Sequence, residues 1–280
     1  MTIEELLRAP EDRPASRVDP RATPGVEHRE AAEAELIELG EQLDGWQERL
    51  WAEGTRSILL LLQGMDTCGK GGTVRHVVSA MDPAGVDVVA FKAPTDEELA
   101  HHFLWRIERW LPAPGQVVVF DRSQYEDVLI VRVHALVGEE VWRPRYDEIN
   151  AWERQVAASG TTIVKCFLHI SSEEQRERLL ARLDDPTKRW KFREGDIDER
   201  RQWSDYMAAY DEAIARCSTE VAPWYVVPAD KKWYRNWAIA KLLVEAFEEL
   251  DPAYPMVELD VPRLKARLAP PNDQQGGSRE

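Results

Sequence analysis

From Leu59 the chain reads Leu59-Leu60-Leu61-Leu62-Gln63-Gly64-Met65-Asp66-Thr67-Cys68-Gly69-Lys70-Gly71-Gly72-Thr73, an apolar run that ends in a glycine turn carrying a lysine. A helical pattern follows. Strand, Gly-x4-Gly-Lys loop and helix in that order make a P-loop, in which backbone N–H groups and the lysine cradle phosphate oxygens. The usual motif has Ser or Thr directly after the lysine, where the hydroxyl meets Mg²⁺. Here Gly71 holds that place, and Asp66 sits inside the loop. A carboxylate beside polyanionic phosphates is repulsive unless a cation lies between them. The stretch therefore predicts a phosphate site of Gly64, Gly69, Lys70, Gly71, Gly72 and Thr73 whose metal is held by Asp66. The competing reading, a glycine-rich turn with a surface lysine, does not account for the flanking strand and helix.

At 280 residues the chain can build one sizeable α/β core or two small ones. Its net charge of −15 argues against nonspecific binding to nucleic acid or lipid. An anionic substrate must then be drawn in by a local basic patch. Three cysteines (Cys68, Cys166, Cys217) without metal-ligand spacing argue against a disulfide framework and suit a reducing cytoplasm. No apolar run is long enough to span a membrane.

Residues 1–28, with Pro10, Pro14, Pro20 and Pro24, read as an extended arm. Residues 29–255 read as the functional domain and 256–280 as a tail, disordered from Pro270 onward. Within the domain, Leu36, Ile37, Leu39, Leu43, Trp46 and Leu50 predict an amphipathic helix over Glu30–Trp51. Five strands are expected at Ser57–Gln63, Val86–Phe91, Gln116–Phe120, Thr162–Leu168 and Trp224–Val227. Helices are expected at Lys70–Ala80, Asp96–Trp110, Tyr146–Ala158, Glu173–Leu183, Asp196–Arg216 and Trp233–Glu249. Short buried strands alternating with helices predict a five-stranded parallel sheet covered on both faces.

The third strand runs into Asp121-Arg122-Ser123. Ligands of parallel sheets bind at the carboxyl ends of strands, so Asp121 takes the place of a Walker-B carboxylate, a second metal anchor with Asp66. Arg122 offers a planar fork for phosphate oxygens. A helix cap beside a surface salt bridge is the plainer alternative for Asp121 and Arg122. The required basic patch lies at Arg176–Arg193, where seven basic residues face three acidic ones. Arg178 and Arg182 share a helix face, and Lys188 and Lys191 follow in a turn. This predicts a lid over about 173–200, such as phosphoryl-transfer enzymes use to neutralise phosphate and exclude water. A solvated charged helix is the competing reading. Lys92, ending the second strand, is a candidate contact for an acceptor phosphate. Arg132 is another, although a structural salt bridge accounts for it better.

Read together, Gly64–Lys70, Phe91-Lys92-Ala93-Pro94-Thr95, Asp121–Leu129, Asp185-Pro186-Thr187-Lys188-Arg189-Trp190-Lys191-Phe192 and Ala222–Arg235 closely resemble the family-2 polyphosphate kinases. The resemblance spans about Glu30 to Pro255. It implies an α/β/α P-loop kinase sandwich similar to thymidylate kinase, assembled as dimers or tetramers. It also implies phosphoryl transfer between inorganic polyphosphate and a nucleotide (ADP, AMP or GDP) with Mg²⁺, or Mn²⁺ in its place. Asp66 and Asp121 would organise the metal, Lys70 and Arg122 the phosphates in transit, and Arg178, Arg182, Lys188 and Lys191 the lid. Val128–His134 and the Trp190-Lys191-Phe192 lid look like the class that accepts AMP and ADP. Gly71 and Asp121 look like the classes directed to ADP or GDP. An NTP-dependent nucleotide kinase of the same fold is the alternative, and a non-catalytic phosphate-binding protein a more distant one.

Overall fold

Leu59 to Leu62 is apolar without alternation, as a strand buried on both faces must be. In the computed structural model, which describes residues 1–268, Ser57–Gln63 forms β1 and is buried throughout. The other strands are β2 (Val86–Ala90), β3 (Val117–Asp121), β4 (Thr161–His169) and β5 (Trp224–Pro228). All pairings are parallel, in the order β2-β3-β1-β4-β5. The chain steps from β1 to one side of the sheet and later to the other. That change of direction leaves a crevice at the carboxyl ends of β1 and β3.

The helices, in chain order, are α1 (Ile3–Leu7), α2 (Arg29–Glu53), α3 (Lys70–His76), α4 (Asp96–Leu99), α5 (Trp105–Glu108), α6 (Ile130–Val133), α7 (Glu139–Trp142), α8 (Arg145–Ala158), α9 (Ser172–Asp184), α10 (Gly195–Arg201), α11 (Trp203–Cys217), α12 (Lys232–Leu250) and α13 (Val261–Leu268). Alternate side chains of each strand point to opposite faces. Leu60, Leu62, Val119 and Leu168 join the layer of α2 and α12, built on Leu39, Leu43, Ile239 and Leu243. Leu59, Leu61, Phe120 and Phe167 join the layer of α8 and α11, built on Tyr146, Ile149, Tyr210 and Ile214. The expected α/β/α sandwich is thereby formed.

Each strand end falls within one residue of its expected place, but three helices do not survive intact. The Lys70–Ala80 helix stops at His76, and Val78–Ala80 follows as a separate 3-10 turn after Val77. The Asp96–Trp110 helix divides into α4 and α5. Here His102 Nδ1 accepts from the Leu104 amide, a local bond that competes with the helical ladder, and its Nε2 lies 2.9 Å from Glu148 on α8. The Asp196–Arg216 helix breaks at Gln202, whose amide reaches the Val133 carbonyl. The extended N-terminal arm is also corrected. Thr2 and Glu5 form a capping box that starts α1, and Ile3 and Leu7 are buried. Arg8 then bridges Tyr225 in antiparallel fashion, covering the outer edge of β5. In the expected tail, α13 forms with no buried residue, and the stretch from Pro270 lies outside the described residues.

A buried ion pair links β4 to the turn after β3. Lys165 and Glu153 are both fully buried, with Nζ 2.5 Å from the Glu153 carboxylate. Lys165 also donates to the Tyr125 hydroxyl (2.9 Å) and the Cys217 carbonyl (2.7 Å), so all three ammonium donors are used. Glu153 accepts in addition from Gln124 (3.0 Å) and Tyr125 (2.8 Å). Removing one partner leaves a buried charge unpaired, at a cost of about 3–5 kcal/mol. Lys165→Ala should lower stability by that amount in urea denaturation. A loss under about 1 kcal/mol would mean that the pair contributes little.

Candidate active site

The first part of the site is the loop after β1. Gly64 has φ of 147°, and a Cβ there would lie 2.6 Å from the Leu168 carbonyl oxygen, so only glycine fits. Thr67 adopts a left-handed φ of 67° and turns the loop back. Lys70 opens α3 and is buried, and its ammonium donates to the Gly64 carbonyl (2.9 Å) and lies 3.6 Å from Cys68 Sγ. The lysine thus spans the loop it belongs to. Thr73 is buried and its hydroxyl back-bonds to the Gly69 carbonyl (3.4 Å). A Cβ on Gly71 would meet nothing within 4 Å. The missing Ser or Thr after Lys70 is therefore not a steric requirement.

The second part is the turn after β3. Asp121 ends that strand in register with Leu62, and the Arg122 amide donates to the Leu62 carbonyl (3.0 Å). Arg122 has φ of 68°, which for a side-chain-bearing residue costs about 1–2 kcal/mol. The turn is held by the Gln63 carboxamide, which lies between Ser123 and Glu126. It brings Arg122 Nη2 to 3.0 Å from Asp66 Oδ1, an ion pair joining the two loops.

Electrostatics follow from this crowding. Burial alone would raise the Asp66 carboxyl, but Lys70 and Arg122, with a hydrogen bond from Glu199, hold it below the usual carboxylate range. Burial opposes the charge on Lys70, yet Cys68, Asp121 and Asp66 prevail and raise its ammonium above the ordinary lysine value. The Arg122 guanidinium is likewise raised, by Glu126, Asp66 and Asp121 against burial. Among the described residues no group of three or more His, Cys, Asp or Glu side chains is placed to hold a metal. Mg²⁺ takes one or two carboxylates and completes its shell with water and substrate phosphate, so the two acids on neighbouring loops, Asp66 and Asp121, are enough in number to hold it.

Beside these groups lies a cavity of about 540 Å³, lined by Asp66, Arg122, Lys92, Phe91, Arg193 and Tyr206 among others. A larger hollow of about 710 Å³ sits at the amino ends of β4 and β5, away from both loops. Lys92 is thus brought to the site. Arg132 is not among the cavity residues: it pairs with Glu212 at 2.7 Å and lies over the Trp142 ring, which favours its structural reading. Arg178 departs furthest from expectation. It is buried, and its five N–H donors serve Glu174, the Thr67 and Cys68 carbonyls, and the Ala229 and Asp230 carbonyls. It is a strut beneath the loop, not an arm of a lid. Arg182 lies 3.7 Å from Asp196, Lys188 pairs with Asp185 at 2.7 Å, and Lys191 lies over the exposed Trp190. Arg182 thus stands on the last turn of α9, and Lys188 and Lys191 on the basic turn between α9 and α10.

Sequence reasoning passed over several groups that shape the site. Glu199 on α10 reaches the Asp66 carboxylate, and the Gln175 side-chain carboxamide donates to the Asp66 carbonyl (3.2 Å). Arg235, in the first turn of α12, lies against Gly69 and Gly72. It stood inside the Ala222–Arg235 motif, but nothing local marked it as lying under the loop.

The model of the family described as polyphosphate kinase 2 (PPK2) matches residues 26–254, which takes in both loops and the basic segment. The chain belongs to the polyphosphate kinase 2 family. An AMP/ADP-polyphosphate phosphotransferase of Meiothermus ruber is 51% identical over 243 residues, 86% of this chain and 91% of that protein. An ADP-polyphosphate phosphotransferase of Rhodopseudomonas palustris is 44% identical over 227 residues, covering 77% and 78%. The crystal structure of polyphosphate kinase 2 from Arthrobacter aurescens TC1 superposes with a TM-score of 0.93 at 49% identity, with 96% of each chain covered. The sandwich is thus the family's fold, and the first helix and Arg8 strap described above precede the region its model matches.

Glu199 supplies a pH test for the contact between α10 and the loop. Burial, then the Asp66 charge, push its carboxyl up from 4.5 to about 7. A carboxyl raised on folding stabilises in its protonated form, fully below about pH 4.5 and no longer above about pH 7. In metal-free protein, hydrogen exchange of residues 195–201, corrected for its intrinsic pH dependence, should accelerate as pH rises from about 4.5 to about 7 and level off above that. Glu199→Gln should flatten that rise. An unchanged profile would place the two carboxyls apart.

Proposed function

We propose that this family member transfers phosphoryl groups between inorganic polyphosphate and a nucleoside mono- or diphosphate, AMP or ADP with GDP as a further acceptor. The observation that carries this is the meeting of Asp66 and Lys70 with Asp121 and Arg122 at one crevice, beside a cavity of nucleotide size. The acids are interleaved with the cations. That pattern suits a reaction in which anionic groups must be brought together through a cation.

Lys70 and the loop amides hold phosphate oxygens, and Arg122 presents its fork to the group in transit. Asp66 and Asp121 are the residues that would hold Mg²⁺, or Mn²⁺ in its place. Bound there, the ion supplies positive charge that screens the phosphates and orients their oxygens. The acceptor lies in the cavity with Lys92 on its wall, and the polyphosphate follows the basic segment of Arg182, Lys188 and Lys191. No strong general base is needed, because a phosphate acceptor with second pKa near 6 is largely ionised at neutrality. Positioning and charge stabilisation do the rest. The names of the Meiothermus and Rhodopseudomonas relatives support polyphosphate with AMP or ADP as the substrate pair. Three buried free thiols fit a reducing cytoplasm, and assembly as a dimer or tetramer belongs to the same reading.

Incubated with polyphosphate, Mg²⁺ and either AMP or ADP, without ATP, the protein should form new nucleotide phosphoanhydride by ³¹P NMR. Formation only when ATP is the donor would replace this reading with a nucleotide kinase. Lys70→Ala, Asp66→Asn and Asp121→Asn should each lower turnover on the order of 10²–10³ or more, with far-UV circular dichroism unchanged. Wild-type turnover in any of them removes that residue from the mechanism.

A further inference from the structure

Beneath the glycine loop lies a cation that the proposed reaction has not used. Arg235 is only 3% exposed. Its Nε and Nη2 donate to Asn236 Oδ1 (3.2 and 2.7 Å), and Nη1 donates to the Cys68 carbonyl (3.4 Å). Two of its five N–H groups have no acceptor among the described residues. Nor does any carboxylate there lie within ion-pair distance of it, although the chain carries 51 acidic residues. Burial and the neighbouring Arg178 push its guanidinium down to about 10. Lys232 nearby is also lowered, by burial first and then by Arg178, with Arg235 contributing. Arg178 is stabilised by Glu174 and four carbonyls, whereas Arg235 has no such compensation.

The loop is shaped around this side chain. A Cβ on Gly69 would overlap the guanidinium, and one on Gly72 would lie 2.7 Å from Nη2. The missing side chains at both glycines thus let the guanidinium lie against the loop backbone, while Gly71 between them is free of it. A buried guanidinium without a counter-charge is costly unless an anion is supplied from elsewhere. The anion available here is the phosphate that the loop is built to hold.

We propose that Arg235 is a positioning residue for the phosphate donor: it fixes the Gly69–Gly72 backbone from below and adds positive potential to the loop without touching the substrate. The inference rests on the reading of the loop as the polyphosphate-binding element. A fixed charge acting through the backbone at an effective dielectric near 20 alters anion affinity on the order of tenfold.

The test uses the full chain with Mg²⁺ and inorganic tripolyphosphate as the probe, by titration calorimetry, together with initial rates on polyphosphate and ADP. Arg235→Met should weaken tripolyphosphate binding and raise the KM for polyphosphate, each on the order of tenfold. The KM for ADP should stay unchanged and kcat should fall less. Arg235→Lys, which keeps the charge, should recover most of the affinity. Unchanged tripolyphosphate affinity in a folded Arg235→Met protein would overturn the inference, as would an equal loss in the Lys variant. Should the Met variant fail to fold, Gly72→Ala, which displaces the guanidinium but leaves it in the chain, should still weaken the probe severalfold, and wild-type binding there would overturn the inference. Wild-type protein that neither binds tripolyphosphate nor transfers phosphate refutes the functional reading itself. Wild-type protein that does both, with variants to match, refutes only the role of Arg235.

Discussion

The ion pair between Asp66 and Arg122 is the contact on which the site depends, because it is where two loops distant in sequence become one surface. Either group alone would be out of place. A carboxylate in a phosphate loop repels its ligand, and a left-handed arginine at a strand end is strained. Together they offset each other's charge and fix the mouth of the crevice. The pair exists because β1 and β3 are hydrogen-bonded neighbours, with Leu62 in register with Asp121. A shift of one residue in that register would turn Asp121 to the other face of the sheet.

Positive charge around the loop is arranged in layers. Lys70 closes the loop from within, Arg122 faces it from the next strand, and Arg178 and Arg235 lie beneath it. The Cys68 carbonyl accepts from both buried arginines, so a single peptide group anchors the loop to α9 and α12. In a chain of net charge −15, this is a local concentration of positive charge set against the global field. The glycines serve this packing as much as the phosphate. Gly64 yields to the Leu168 carbonyl, and Gly69 and Gly72 yield to Arg235.

Support for the second loop comes from a separate polar network. Lys165 lies fully buried in the middle of β4. In the fold it fixes Tyr125 and, through Glu153, Gln124, the residues that follow the Asp121–Arg122 turn. The turn is thereby held from the α8 side, while Gln63 holds it from the β1 side. Such a network rigidifies a turn through the members it satisfies: all three donors of Lys165 are used, while Gln124 Oε1 has no partner among the described residues.

Sequence alone determined the parts of this protein that local physics controls. Unbroken apolar runs can only be buried strands, and a glycine loop between strand and helix leaves its amides free for phosphate. Asp66, Lys70, Asp121 and Arg122 were therefore legible, as was the sandwich they sit on. Tertiary structure decided what each arginine does. Arg178 and Arg182 share one helix face, yet Arg178 is buried with every donor committed to the loop and its surroundings, and Arg182 stays partly exposed near Asp196. Arg235 and Glu199 were invisible for the same reason. A side chain's hydrogen bonds and the field it feels depend on neighbours brought up by other segments, and no spacing within one segment encodes them.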